Sequence, residues 1–322
     1  MAKISICVTY YNQEQFVKDS LESVLAIDFP CDYEILIGDD GSTDNTVNVI
    51  KEYQQKYPDK IKLFVNERNE NQKSINRASK NRLNLAENAT GDYLLFLDGD
   101  DFYCDKNFVK EAITILENNK ELAACAFYFK LLCEDKSERF FKQNIKEGII
   151  KSGEYISKVI YIHSGAIVFK NVLNSERLEL LKQVNGFDDN GITIFFLQFG
   201  DLYYFNRFVY VYRQSHDSLW NSMDDFEQNF ANAMEYKTLC DVVPKFKKEI
   251  AKREYKPMKY VYERKDKIRE LLGEKYERYL NMLKTNNDTF LLNLVRWEEL
   301  SVREKINMIR LWFNFWFKHE LE

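Results

Sequence analysis

Apolar residues in the first hundred positions come in short solid runs, and each run is followed by a stretch whose apolar positions recur at helical spacing. KISICVTYY (3–11), YEILIGDD (33–40), IKLFVN (61–66) and YLLFLDGDD (93–101) read as strands, the last buried on both faces. Residues 14–26, 42–57 and 74–88 read as helices between them, the second opened by Ser42 and Thr43 near its N-cap. Strand and helix in alternation with short connectors predict an α/β fold with a mainly parallel sheet flanked by helices. Each strand ends in polar residues, so those ends collect along one sheet edge, where open α/β sheets bind ligands.

Further along, residues 108–118 have helical period and LAACAFYFKLLCED reads as a long strand. ERFFKQNIKEGII is a hairpin or a loop. SGAIVFK and LYYFNRFVYVYR are strands, with helical stretches at 176–182 and 191–199. From about Met223 the pattern becomes long, charged, amphipathic helices, broken at Pro244 and Pro257 and turned at NNDT (286–289). The change places a boundary near residue 222, with a helical region over 223–322.

Composition narrows the picture. A chain of 322 residues with 45% hydrophobic and 15% aromatic side chains has material for a large core. A net charge of −5 gives no general case for nucleic acid as a partner. The charge is uneven: residues 236–285 hold fifteen Lys and Arg against eight Asp and Glu. Six cysteines without C-x-x-C spacing, several in apolar runs, read as reduced thiols. No apolar run approaches the ~20 residues that span a bilayer, and MAKISICVTYYN lacks a leader pattern. The expectation is a cytoplasmic protein.

Three features carry candidate chemistry. Asp98, Asp100 and Asp101 crowd the end of a core strand; oxygen ligands so placed suit Mg²⁺ or Mn²⁺, or they form a solvated turn with Gly99 at positive φ. In GDDGSTDNT (38–46), Asp39 can accept hydrogen bonds from a nucleotide, or Asp40 and Ser42 serve only as a helix cap. VTYYN puts Thr9 and Tyr11 on the same edge, where Tyr11 either stacks on a base or simply packs. The three histidines, His163, His216 and His319, form no zinc-like pair by spacing.

The order VTYYN, ILIGDDGSTDNT, GDYLLFLDGDD resembles the nucleotide-sugar-binding half of family 2 glycosyltransferases, which have the GT-A fold. GDLYYFNRFVYVYRQSHDSLW (200–220) looks like that family's closing segment, so the resemblance covers about residues 3–222. It implies a nucleotide-binding half over 1–101 and an acceptor-binding half over 102–222. It implies an inverting, metal-dependent transferase with a nucleotide-sugar donor, UDP by the uridine pattern of Asp39 and Tyr11. The implied donor contacts are Thr9, Tyr11, Asp39, Lys80, Asn81, Asp98 and Arg213. Asp100, with His216, would hold Mg²⁺ or Mn²⁺. Asp101, Ser164, Asp188 and Trp220 would lie on the acceptor side. Counting back from Gly200 puts the general base at Asp189, with Asp188 as the alternative. The implied acceptor is a surface glycan or lipid-linked oligosaccharide.

Two rival classes stay open: a nucleotidyltransferase, against which TYYNQEQF lacks a Gly-rich basic phosphate loop, and a silent sugar-nucleotide-binding scaffold. In the helical region, Trp297, Trp312, Phe313 and Trp316 either pack on the catalytic domain or a second copy of the chain, or dock with the basic stretch at the inner face of the membrane.

Overall fold

A computed structural model describes residues 3–68, 74–140, 145–184, 186–214, 220 and 223–263. The first half follows the strand–helix alternation closely: β1 (Lys3–Tyr10), α1 (Val17–Leu25), β2 (Asp32–Asp39), α2 (Thr46–Lys56), β3 (Ile61–Val65), α3 (Ser74–Asn88) and β4 (Tyr93–Asp98). The chain continues with β5 (Phe102–Tyr103), α4 (Phe108–Asn118), β6 (Leu122–Cys133), β7 (Glu138–Phe140), β8 (Gly148–Ile150) and α5 (Ser152–Ser157). A 3₁₀ turn at Ser164–Ala166 leads into β9 (Ile167–Lys170), α6 (Ser175–Leu181), α7 (Asp189–Leu197), β10 (Asp201–Gln214), α8 (Asp225–Val242) and α9 (Lys247–Glu263).

One mixed sheet runs in the order β3-β2-β1-β4-β9-β6-β10-β5, with β7 beside β6 and β8 beside β10. The pairs β3–β2, β2–β1, β1–β4 and β6–β10 are parallel, while β9 runs antiparallel between β4 and β6. β4 is buried from Tyr93 to Leu97, each large apolar side chain there contributing roughly 1.5–3 kcal/mol. The order reverses at β1, because β2 and β3 lie to one side of it and β4 to the other. A crevice opens at such a switch point beyond the strands' carboxyl ends.

A buried carboxylate ties the opposite end of these strands. Glu34 in β2 accepts from the Ser5 hydroxyl (2.7 Å) and the Thr90 N–H (2.9 Å), and pairs with Lys62 (2.9 Å) and Lys3 (3.0 Å). Burial works to raise its carboxyl, but these donors outweigh it and hold the pKa at about 2.

Two expectations change, and two short elements are added. α2 starts at Thr46 rather than near Ser42, for a reason that belongs to the site. Pro257 lies inside α9 instead of breaking it. The short α5 and β5, too brief for periodicity to reveal, were not foreseen. The chain divides into two compact units, Met1–Ser222 with Glu235–Ile250, and Met223–Met234 with Ala251–Glu322. No helix among the described residues is long and apolar enough to cross a membrane.

Candidate active site

β1, β2 and β4 end side by side, with Thr9 in register with Gly38 on one flank and Asp98 on the other. Thr9 Oγ1 donates to Asp98 Oδ1 at 3.3 Å, and Arg82 Nη2 from α3 meets the same oxygen at 2.6 Å. Burial pushes the Asp98 carboxyl up, yet Arg82, helped by His163, prevails and holds it below the ordinary carboxylate range. Asp39 is fully buried and accepts from Ser42 N–H (2.8 Å) and the Ser42 hydroxyl (2.5 Å). Ser42 Oγ also accepts the Asn12 N–H at 2.8 Å. Held in this way, Ser42 belongs to the strand-end turn, and the helix begins only at Thr46. Tyr11 is 37% exposed, with the Arg68 guanidinium 3.7 Å above its ring centre.

The turn after β4 is compact for a steric reason. A Cβ on Gly99 would fall 2.1 Å from Tyr10 Cδ1, so only glycine fits. Among the described residues the glycines at positive φ are Gly41, Gly148 and Gly186, so Gly99 is there for close approach and not for φ. Burial, then the charge of Asp98, pushes the Asp100 carboxyl up to about 6. Antiparallel pairing of β5 with β10 brings Asp101 against that strand. Asp101 is fully buried; its oxygens accept from the Tyr210 hydroxyl and from Arg213 N–H (2.7 Å). Those two bonds hold it against β10.

Across from these strand ends lie the 3₁₀ turn and the start of α7. Asp188 caps α7, its Oδ1 accepting from Asn190 N–H (3.1 Å) and Gly191 N–H (3.5 Å). Asp189, in the first turn, accepts from Ser164 N–H (2.8 Å) and from the Tyr161 hydroxyl (2.7 Å). The two neighbours thus differ in duty: one holds the helix, and the other is aimed by residues of a different segment. His163 stands between the two sides of the site. Its Nδ1 accepts from Gly165 N–H (3.2 Å) and lies 3.5 Å from Asp189 Oδ1, while Nε2 is 3.9 Å from Asp98 Oδ2. The ring is buried and stacks on Tyr210 at 4.8 Å.

A cation fits this arrangement. Among the described residues, one donor atom each from Asp98, Asp101 and His163 lies within 4.8 Å of the others. Two carboxylates and an imidazole suit Mn²⁺, and with bound waters Mg²⁺. A cation would also relieve the repulsion that raises Asp100. Sequence reading puts the metal on Asp100 and His216. The structure groups Asp98, Asp101 and His163 instead, and His216 lies outside the described residues.

The other expected contact residues have these surroundings. Lys80 is exposed on α3. Asn81 is buried, its amide donating to the Gly38 carbonyl (2.8 Å) and its oxygen accepting from Asn66 (3.0 Å), so it braces the end of β2. The Arg213 guanidinium donates to the Asp100 carbonyl (2.9 Å), pairs with Asp19 (2.6 Å) and packs between Phe16 and Phe102. It clamps the Asp100–Asp101 turn to α1. Ser164 contributes its backbone N–H to Asp189, and Trp220 is half-buried. Sequence reading missed Arg82, Tyr161 and His163 as site residues. Arg82 directly follows the Lys80–Asn81 pair, and His163 directly precedes Ser164, so adjacency was the only available signal.

The amino-acid sequence over residues 5–176 matches the family model described as Glycosyl transferase family 2. Among similar proteins, Poly(ribitol-phosphate) beta-N-acetylglucosaminyltransferase TarS of Staphylococcus aureus is 32% identical over 120 residues, 37% of this chain and 20% of TarS. A Methanococcus voltae protein, dolichyl N-acetyl-alpha-D-glucosaminyl phosphate 3-beta-D-2,3-diacetamido-2,3-dideoxy-beta-D-glucuronosyltransferase, is 34% identical over 120 residues, 37% of this chain and 35% of that one. The chain spans well under half the length of these curated relatives. The crystal structure of S. aureus TarS 1-349 in complex with UDP-GlcNAc superposes with a TM-score of 0.61 at 18% identity, covering 91% of this chain and 83% of that one. At that identity the likeness concerns the fold, which is of the GT-A type.

Proposed function

The chain belongs to glycosyl transferase family 2, and on that premise we propose that it moves a hexose or N-acetylhexosamine from a UDP-linked donor to a glycan hydroxyl, with inversion at the anomeric carbon. The observation that carries this reading is the pair of facing carboxylate sites. Asp39 and Asp98 stand at the strand ends, Asp189 stands opposite, and His163 lies 3.9 Å from Asp98 and 3.5 Å from Asp189.

Tyr11 and Asp39 form the base end of the donor site. The Tyr11 ring offers a stacking surface, and the Asp39 oxygens keep lone pairs for a base N–H beyond the two bonds from Ser42. The crystal structure of TarS with UDP-GlcNAc supports UDP as the nucleotide. Arg82 is the planar cation nearest Asp98 and suits a diphosphate oxygen. Asp98, Asp101 and His163 would hold Mg²⁺ or Mn²⁺, which when bound supplies positive charge to the departing diphosphate. Asp189 takes the proton of the acceptor hydroxyl as its oxygen attacks the anomeric carbon and the nucleoside diphosphate leaves with the bond's electron pair. Ser164 N–H and the Tyr161 hydroxyl hold both Asp189 oxygens, so the carboxylate is aimed before the acceptor arrives.

The acceptor proposed is a surface glycan or lipid-linked oligosaccharide, with 1–222 as catalytic region and 223–322 as a helical appendage that meets the inner membrane face or a second copy of the chain. The aromatic residues invoked for that contact lie outside the described residues. A screen of nucleotide sugars tests the reading: a UDP-sugar is expected to raise the melting temperature and to be hydrolysed slowly. Protection by nucleoside triphosphates with pyrophosphate release would point to nucleotidyl transfer. Protection without any turnover would point to a silent binding protein.

A further inference from the structure

Glu235 on α8 is buried to 2% exposure, its carboxyl oxygens receive no well-formed hydrogen bond from a described N–H or O–H donor, and the Asp188 carboxyl and the Gly191 N–H lie beside them. It lies in the same compact unit as α7, behind the turn that carries Asp188 and Asp189. A Cβ on Gly191 would fall 2.7 Å from Glu235 Oε1 and 2.6 Å from the Gly186 carbonyl oxygen. Glycine within a helix costs about 1 kcal/mol relative to alanine, and the close approach of the Gly186 carbonyl, with Glu235 beside it, accounts for its presence. Among the described residues, Asp188, Asp189 and the Gly191 N–H bear on Glu235, and Arg82 bears on Asp188. Burial, then the charge of Asp188, pushes the Glu235 carboxyl far above its ordinary range, and burial raises Asp188 as well. Two ionised carboxylates without a cation between them are expensive in such a place. A neutral carboxyl instead carries a proton that its charged neighbour can accept.

We propose that Glu235 is a positioning residue for the base: its neutral carboxyl donates a hydrogen bond to Asp188, secures the cap of α7, and thereby keeps Asp189 aligned with Tyr161 and Ser164. This rests on Asp189 acting as the base. The arrangement gives a residue beyond the expected 222 boundary a part in catalysis without any contact to substrate.

The test uses the full chain in two arms. In infrared difference spectra at neutral pH, wild type minus Glu235→Gln is expected to show one protonated-carboxyl carbonyl band. A wild type lacking that band overturns the proposal. Because this arm reads no turnover, it stands even if no nucleotide sugar proves to be a donor, an outcome that would sink the glycosyl-transfer reading separately. In kinetics, Glu235→Ala and Glu235→Met, the second keeping volume so that the fold is preserved, are expected to lower kcat about 10²-fold, the scale of a slight misplacement, with donor KM within about threefold. Glu235→Gln, whose amide can still donate to Asp188, is expected to restore kcat to within about threefold of wild type. A methionine variant with wild-type kcat, or a glutamine variant as impaired as methionine, overturns it.

Discussion

Asp189 accepts one hydrogen bond on each oxygen, and neither donor comes from its own helix. Its aim is therefore set by a remote segment of the chain, and loss of the carboxylate and loss of its alignment can be separated by mutation. Asp189→Asn is expected to cut kcat by about 10²–10⁴-fold, the range for loss of a general base, while the donor's thermal protection persists. Wild-type turnover in that variant would remove the base assignment. Tyr161→Phe removes one donor to a charged acceptor and is expected to lower kcat about tenfold with donor KM little changed; a KM effect alone would place Tyr161 on the donor side instead. Counting back from Gly200 reaches Asp189 but leaves Asp188 beside it. What separates them is three-dimensional: Asp188 is occupied by helix N–H groups, and Asp189 is met by a remote turn.

Elements place these residues, and close packing makes the placement sensitive. Gly99→Ala would drive a methyl into the Tyr10 ring, so it is expected to destabilise the fold by about 1–3 kcal/mol and to weaken donor protection. Urea melts beside donor-induced melting shifts would check both, and an unchanged melt would show that the turn has room to give. Glu34 links β1, β2 and the Thr90 turn before β4, and it makes acid stability an element-level property. Its folded pKa, about 2, lies below its ordinary value of 4.5, so the folded state binds fewer protons in that interval. Its stabilisation is complete above about pH 4.5 and is lost as pH falls toward 2, a change on the order of 3 kcal/mol. Glu34→Gln is expected to lower stability at neutral pH and to flatten that acid limb. Parallel stability–pH curves for the two proteins would contradict this.

For the molecule as a whole, the candidate three-residue cation site gives a measurable linkage. Saturating Mn²⁺ is expected to raise stability by RT ln(1 + [L]/Kd), about 2.7 kcal/mol at one hundred times Kd. Asp101→Asn is expected to lose most of that gain, read as a melting shift and as Mn²⁺ left unbound by electron paramagnetic resonance. Equal Mn²⁺ stabilisation in the variant would move the site away from Asp101. If the aromatic residues near the C-terminus reach a membrane, replacing Trp312, Phe313 and Trp316 by serine in the full chain should reduce cosedimentation with anionic vesicles, and undiminished binding would exclude them as the anchor. The sequence by itself determined the alternation of strands and helices, the buried run of β4 and the polar strand ends, because a period of two or 3.6 and a terminal cluster of carboxylates are local facts of the chain. Only the tertiary structure decided which side chains meet at those ends. Arg82 reaches Asp98 across 16 positions, Tyr210 reaches Asp101 across 109, and Tyr161 reaches Asp189 across 28. No local spacing records such pairs, because they follow from the order in which strands join the sheet.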